Sequence, residues 1–97
     1  MGRAVRPKPA RLASKLKQVR AALNLSQEKL VECLNYKQSL LTPSMVSEFE
    51  NSKREPPVLV LLCYARTAGI PLEYLIDDEL DLPEKLPCKP FQWILKG

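Results

Sequence analysis

The side chains with recognisable chemistry gather in two short stretches. One is Ser26-Gln27-Glu28. The other runs from Thr42 through Pro43, Ser44, Ser47 and Glu48 to Asn51, Lys53 and Arg54. These types donate or accept hydrogen bonds and carry charge, which is the chemistry of recognition. Serine can bond several bases, and glutamate can accept from the N4 amine of cytosine. Asn51, Lys53 and Arg54 carry donors suited to phosphate oxygens, which fix register without reading sequence. Gln27 falls at the start of a predicted helix, where outward amides and the dipole favour an anion such as a DNA phosphate. Each has a plainer reading. Ser26 and Gln27 could do no more than cap a helix, Glu48 could be a solvated carboxylate that phosphate repels, and 51–54 could be a solvated turn.

Catalytic and metal chemistry find little to rest on. The chain has no histidine, and its cysteines are three, an odd number. Cys33, Cys63 and Cys88 form no CxxC pair, so zinc sites, thioredoxin chemistry and Cys–His catalysis lack a constellation. The acids gather mostly in one run rather than converging on a pocket, and no Gly-rich catalytic loop is present. The expectation is a non-enzyme without cofactor or metal. Cys33 and Cys63 sit among leucines and alanines, which predicts buried, reduced thiols and a reducing compartment.

The charge is uneven along the chain. Residues 1–27 contain Arg3, Arg6, Lys8, Arg11, Lys15, Lys17 and Arg20 and one acid-free stretch up to Gln27. Residues 77–84 contain Asp77, Asp78, Glu79, Asp81 and Glu84 and no base. This reads as a basic end and a separate acidic end. The basic end suits a polyanion, either nucleic acid or an anionic membrane surface, or serves only solubility. At 97 residues, 45% apolar and 27% charged, the chain has the size and composition of one soluble domain. It lacks an apolar run near the ~18 residues of a membrane span and lacks a secretory pattern at Met1, so a cytoplasmic location is expected.

Five helices must position these groups. Leu12, Leu16, Val19 and Leu23 recur at helical spacing over about 10–23, with Asn24 as a stop. Ser26 caps a second helix with Leu30, Val31 and Leu34 inside and Asn35 at its end. Tyr36 to Leu40 has no clear period and reads as a loop. Thr42-Pro43 restarts a third helix over 42–51, with Val46 and Phe49, and Met45 beside them, on its apolar side. Pro57 opens a fourth, ended by Gly69, with Leu59, Leu62, Cys63 and Ala65 as inward candidates. Pro71 opens a short fifth, 72–76. No strand is expected in the first 80 residues. The organisation predicted is a flexible basic arm over 1–9, an all-α domain over 10–78, and a C-terminal tail over 79–97.

Three ordered pieces of this pattern resemble the lambda-repressor-like helix-turn-helix family, of Xre or Cro type. The first is Leu16 to Leu30, containing Leu23-Asn24-Leu25-Ser26-Gln27-Glu28-Lys29-Leu30, similar to the family's "G-L-S-Q-E-E-L-A". The second is Met45-Val46-Ser47-Glu48-Phe49-Glu50-Asn51-Ser52-Lys53-Arg54-Glu55-Pro56, similar to "V-S-x-x-E-x-G-K-R-x-P". The third runs through Leu59, Leu62, Ala65, Gly69 and Leu75. Together they cover about two-thirds of the chain. The resemblance implies a compact five-helix DNA-binding domain whose third helix enters the major groove. It implies base contacts from the start of that helix, at Thr42, Pro43, Ser44, Ser47 and Glu48, and phosphate contacts from Gln27, Asn51, Lys53 and Arg54. It also implies an ion pair between Arg20 and Glu50 that orients the third helix, with Arg20 free to touch a phosphate. Family members join the second and third helices tightly through a Gly. Here Asn35 stands near that position and about five further residues, Tyr36 to Leu40, follow, with Lys37 and Gln38 as added candidate DNA contacts.

The expected function is therefore a sequence-specific transcriptional regulator, a repressor, binding double-stranded DNA as a homodimer. Phe91, Trp93 and Leu95 alternate in the tail and are candidate dimerisation residues, or else fold back on their own core. The competing reading is an antitoxin or protein–protein adaptor on the same fold. A membrane-surface role for the basic first helix competes less well, because its apolar face is needed for the core.

Overall fold

The leucine stripe of the first helix and the caps of the next two set the frame. The computed structural model describes residues 9–86. They form five helices: α1 Leu12–Ala22, α2 Gln27–Leu34, α3 Pro43–Glu50, α4 Val58–Ala68 and α5 Glu73–Ile76. Among the described residues there is no strand, and no helix is long and apolar enough to cross a membrane. The predicted arm residues 1–8 and the tail residues Phe91, Trp93 and Leu95 lie outside the described residues.

Local chemistry explains the helix ends. Ser26 Oγ accepts the Lys29 N–H at 3.1 Å and Thr42 Oγ1 accepts the Met45 N–H at 3.2 Å, so both N-caps satisfy an otherwise orphaned donor. Pro43 occupies the first position of α3, where its missing N–H is no loss. Asn24, Asn35 and Gly69 stop α1, α2 and α4 in left-handed conformations, with φ of 59°, 51° and 75°. Ser52 does the same after α3 at φ 61°. Its N–H donates to Phe49 O and that of Lys53 to Glu48 O, which closes the helix end as a Schellman turn.

The core is one cluster. Leu12, Leu16 and Val19 of α1 meet Leu30 and Leu34 of α2, Val46 and Phe49 of α3, and Leu75 of α5. Each such side chain contributes about 1.5–3 kcal/mol on burial. The α1 helix packs on α3, α4 and α5, and α2 packs on α3 and α4, so α3 is held from behind by two helices. In α4 the buried residues are Val60, Leu61, Tyr64, Ala65 and Ala68. This corrects the sequence expectation: of its four inward candidates only Ala65 is buried, Leu62 and Cys63 are half-buried, and Leu59 is exposed. The run Val58 to Cys63 is apolar at every position, so periodicity could not choose its inner face.

Two further expectations are overturned. Cys33 is exposed rather than buried, because it lies one position off the Leu30–Leu34 face. Cys63 is half-buried, and burial pushes its thiol pKa up. The acidic end is also not separate from the basic one. Asp78 accepts the backbone N–H of Ala10 at 2.8 Å and that of Arg11 at 3.0 Å, capping the start of α1. These bonds, helped by the nearby Lys15 and Arg11 charges, hold the Asp78 carboxyl below its usual range. The Arg11 guanidinium reaches Asp78 O and the Asp81 carboxylate, and lowers the Asp81 pKa in turn. Lys15 is fully buried, its Nζ donating to Tyr74 O at 2.9 Å and Asp77 O at 2.8 Å. A cation there meets the carbonyl end of α5, where helix termini favour positive charge. The acidic segment is thus a strap across α1, and Leu82 and Leu86 continue it against the core.

Candidate functional site

Helix α3 has two faces with different contents. Val46, Phe49 and Glu50 turn inward and are buried. Ser44, Ser47, Glu48 and Asn51 follow the i, i+3, i+4, i+7 spacing that shares a helix face. Ser44 and Asn51 are exposed, and Ser47 and Glu48 half-exposed. Pro43 is exposed at the helix start. Four of the expected base-contacting residues, Pro43, Ser44, Ser47 and Glu48, therefore stand at the outward surface. The Thr42 hydroxyl serves as the N-cap, since it already accepts from Met45.

The inner face is locked by an ion pair. Arg20 Nε donates to Glu50 Oε2 at 2.7 Å and Nη2 to Oε1 at 3.0 Å, while Nη1 donates to Leu25 O at 3.0 Å. The Glu50 side chain is 3% exposed and that of Arg20 22%. The Glu50 bond raises the Arg20 pKa further above its ordinary value. Three of the five guanidinium donors are committed inside the protein, so Arg20 acts first as a structural residue. Tyr64, which the sequence reading missed inside an all-apolar run, lies fully buried behind this pair. Burial pushes its phenol pKa well up, and the Glu50 charge adds to the rise.

The outer face carries a second pair. Arg54 Nε donates to Glu48 Oε1 at 2.6 Å, with side chains 52% and 41% exposed. The sequence reading gave Glu48 to bases and Arg54 to phosphates as independent groups; the two are joined. Asn51 Nδ2 folds back to Ser47 O at 2.8 Å and so satisfies a carbonyl of the last helical turn. Lys53 is exposed in the following loop. Lys37 and Gln38 are exposed in the connection before α3, which is anchored at one end by half-buried Tyr36 and at the other by buried Leu41. Gln27 is half-buried at the first position of α2, where Ser26 already caps the helix.

The electrostatics of this body differ from those of the whole chain. Residues 9–86 hold ten lysines and arginines and all eleven acids. Residues 9–86 thus carry a net −1, and the five further cations Arg3, Arg6, Lys8, Lys89 and Lys96, outside the described residues, bring the chain to +4. Within the body, Arg11, Lys15, Arg20 and Arg54 are engaged with other protein groups. The basic face anticipated for α1 is accordingly reduced, with Lys17 exposed and Lys15 buried. A shallow cleft of about 290 Å³ lies between the start of α1 and the loop after α3, lined by Leu12, Phe49, Ser52, Arg54 and Pro56 among others. Among the described residues no group of three Cys, Asp or Glu side chains could hold a metal ion. No family model, curated protein or solved structure matches the chain.

Proposed function

We propose that this chain is a sequence-specific DNA-binding transcriptional regulator, a repressor of helix-turn-helix type that places α3 in the major groove of an operator. The observation that carries this reading is the two-sided construction of α3. Its inner face is fixed by Val46, Phe49 and the Arg20–Glu50 pair, and its outer face presents Pro43, Ser44, Ser47 and Glu48. A helix of 8 residues held rigidly from behind, with short polar side chains in front, suits groove entry. Lys37, Lys53 and the N-terminus of α2 at Gln27 provide phosphate contacts around it. Two copies acting on two half-sites match the usual docking of such domains. On this reading, most of the attraction for phosphate falls to the terminal cations, consistent with the near-neutral body, and the specificity to α3.

The same charge balance favours a second reading. A body of residues 9–86 with one more acid than base suits a protein–protein adaptor or antitoxin better than a domain basic throughout. Selection of bound duplexes from a random pool separates the two. Enrichment of an inverted repeat is the expected result, and recovery of unenriched sequence with capture of a second protein chain would favour the adaptor.

A further inference from the structure

Resting on the DNA-binding reading above, we infer that Arg54 is a base-reading residue and Glu48 the residue that positions it. Arg54 leaves the loop after α3 and turns back along the helix, bonding through Nε to a carboxylate six positions earlier. That bond uses one edge of the guanidinium. Among the described residues no hydrogen bond is made by the Nη1–Nη2 end, and the side chain is 52% exposed, so a planar pair of donors remains available next to Glu48. The ligand chemistry that fits a planar donor pair is a pair of acceptors, and in the major groove that is O6 and N7 of guanine. A free arginine on a loop would sweep a wide volume and settle on phosphates. One held at Nε has lost part of that freedom before it meets DNA, so more of the contact appears as discrimination. Glu48 gains as well: paired with Arg54 it approaches the duplex as half of a neutral unit, without the repulsion a lone carboxylate meets.

The test is selection from a random duplex pool by the full chain, followed by titrations on the selected and a scrambled duplex at two salt concentrations. The wild type is expected to enrich a guanine in each half-site. Arg54→Ala should lose the preference at that base pair, weakening the selected duplex roughly 5- to 150-fold and the scrambled one far less. Arg54→Lys keeps the charge but not the fork, and should lose the same preference. Glu48→Ala should relax that same base pair while strengthening the scrambled duplex, because the freed guanidinium reaches phosphates. Glu48→Gln retains an acceptor for Nε and should recover part of the preference. Equal weakening of both duplexes by Arg54→Ala would make Arg54 a phosphate contact and overturn the inference while leaving DNA recognition intact. Relaxation of different base pairs by the Glu48 and Arg54 variants would overturn it equally. If the wild type enriches no sequence, the inference falls together with the reading it rests on.

Discussion

Helix α3 carries two arginine–glutamate pairs that share a chemistry and differ in almost everything else. Glu50 faces the core and meets Arg20 of α1 through two short bonds, nearly out of solvent. Glu48, two residues earlier, lies roughly 200° round the helix at 100° per residue, and it meets Arg54 through one bond in open solvent. Removing one partner of a buried pair strands a charge in a low-dielectric site, whereas an exposed pair is largely replaced by water. The inner pair therefore serves rigidity. The outer pair contributes little to stability, because water readily takes the place of either partner.

The sharpest way to break this comparison is Arg20→Ala. It leaves Glu50 buried without its cation and should destabilise the fold by about 3–5 kcal/mol in urea unfolding. Replacing both partners together, Arg20→Met with Glu50→Leu, should recover much of that loss, since no charge is then left buried. A loss in the double variant as large as in the single one would mean the bonds matter for more than mutual compensation.

A smaller effect is expected where a buried cation bonds to carbonyls and has carboxylates only nearby. Lys15 donates to two backbone carbonyls, Tyr74 O and Asp77 O. Lys15→Met keeps the packing and leaves both acceptors to find water. It should cost about 1–3 kcal/mol, with amide exchange fastest over α5. Unchanged protection there would show that Leu75 alone anchors α5.

The strap that Lys15 grips is also the acid-sensitive part of the molecule. The Asp78 and Asp81 carboxyls are held below their ordinary value, chiefly by the Ala10 and Arg11 amides for Asp78 and by the Arg11 guanidinium for Asp81. Groups whose folded pKa is depressed contribute stability above their unfolded pKa and lose it as pH falls through the folded one. The strap should therefore hold at neutral pH and weaken below about pH 4. In thermal melts across pH, Asp78→Asn should flatten that acid limb, and an unaltered limb would assign it to other carboxylates.

The smallest effect belongs to the outer pair. Glu48→Ala and Arg54→Ala should each change stability by less than about 1 kcal/mol, and the double variant should equal their sum within error. A coupling energy comparable to that of the inner pair would show that Glu48 and Arg54 hold the fold together, and would erase the contrast between the two faces.

Helix boundaries could be read from the sequence because caps and stops are decided by a few neighbouring residues. Ser26, Thr42-Pro43, Asn35 and Gly69 act through their own backbone and the next turn, and each sits where the pattern placed it. The 4-3-4 spacing of Leu12, Leu16, Val19 and Leu23 likewise marked the inner side of α1, with the first three buried and Leu23 half-buried. The Arg20–Glu50 pair was anticipated through the family resemblance alone, since nothing local links residues 30 apart.

Other features were settled only when the chain closed on itself. Every position from Val58 to Cys63 is apolar, so α4 had no inner face until α1 and α2 supplied one. Lys15 reads as one more surface cation in a basic stretch; it is buried because the end of α5 brings two carbonyls to it across about 60 residues. The acidic run reads as a separate end, yet its Asp78 caps the start of α1, accepting from Arg11 N at a separation of 67 residues. Glu48 and Arg54 are each plausible DNA contacts in isolation, and only the Schellman turn at Ser52 sends Arg54 back toward Glu48. Caps and periodicity are short-range and survive in any fold, whereas the partner of a long charged side chain depends on which distant backbone packing carries into its reach.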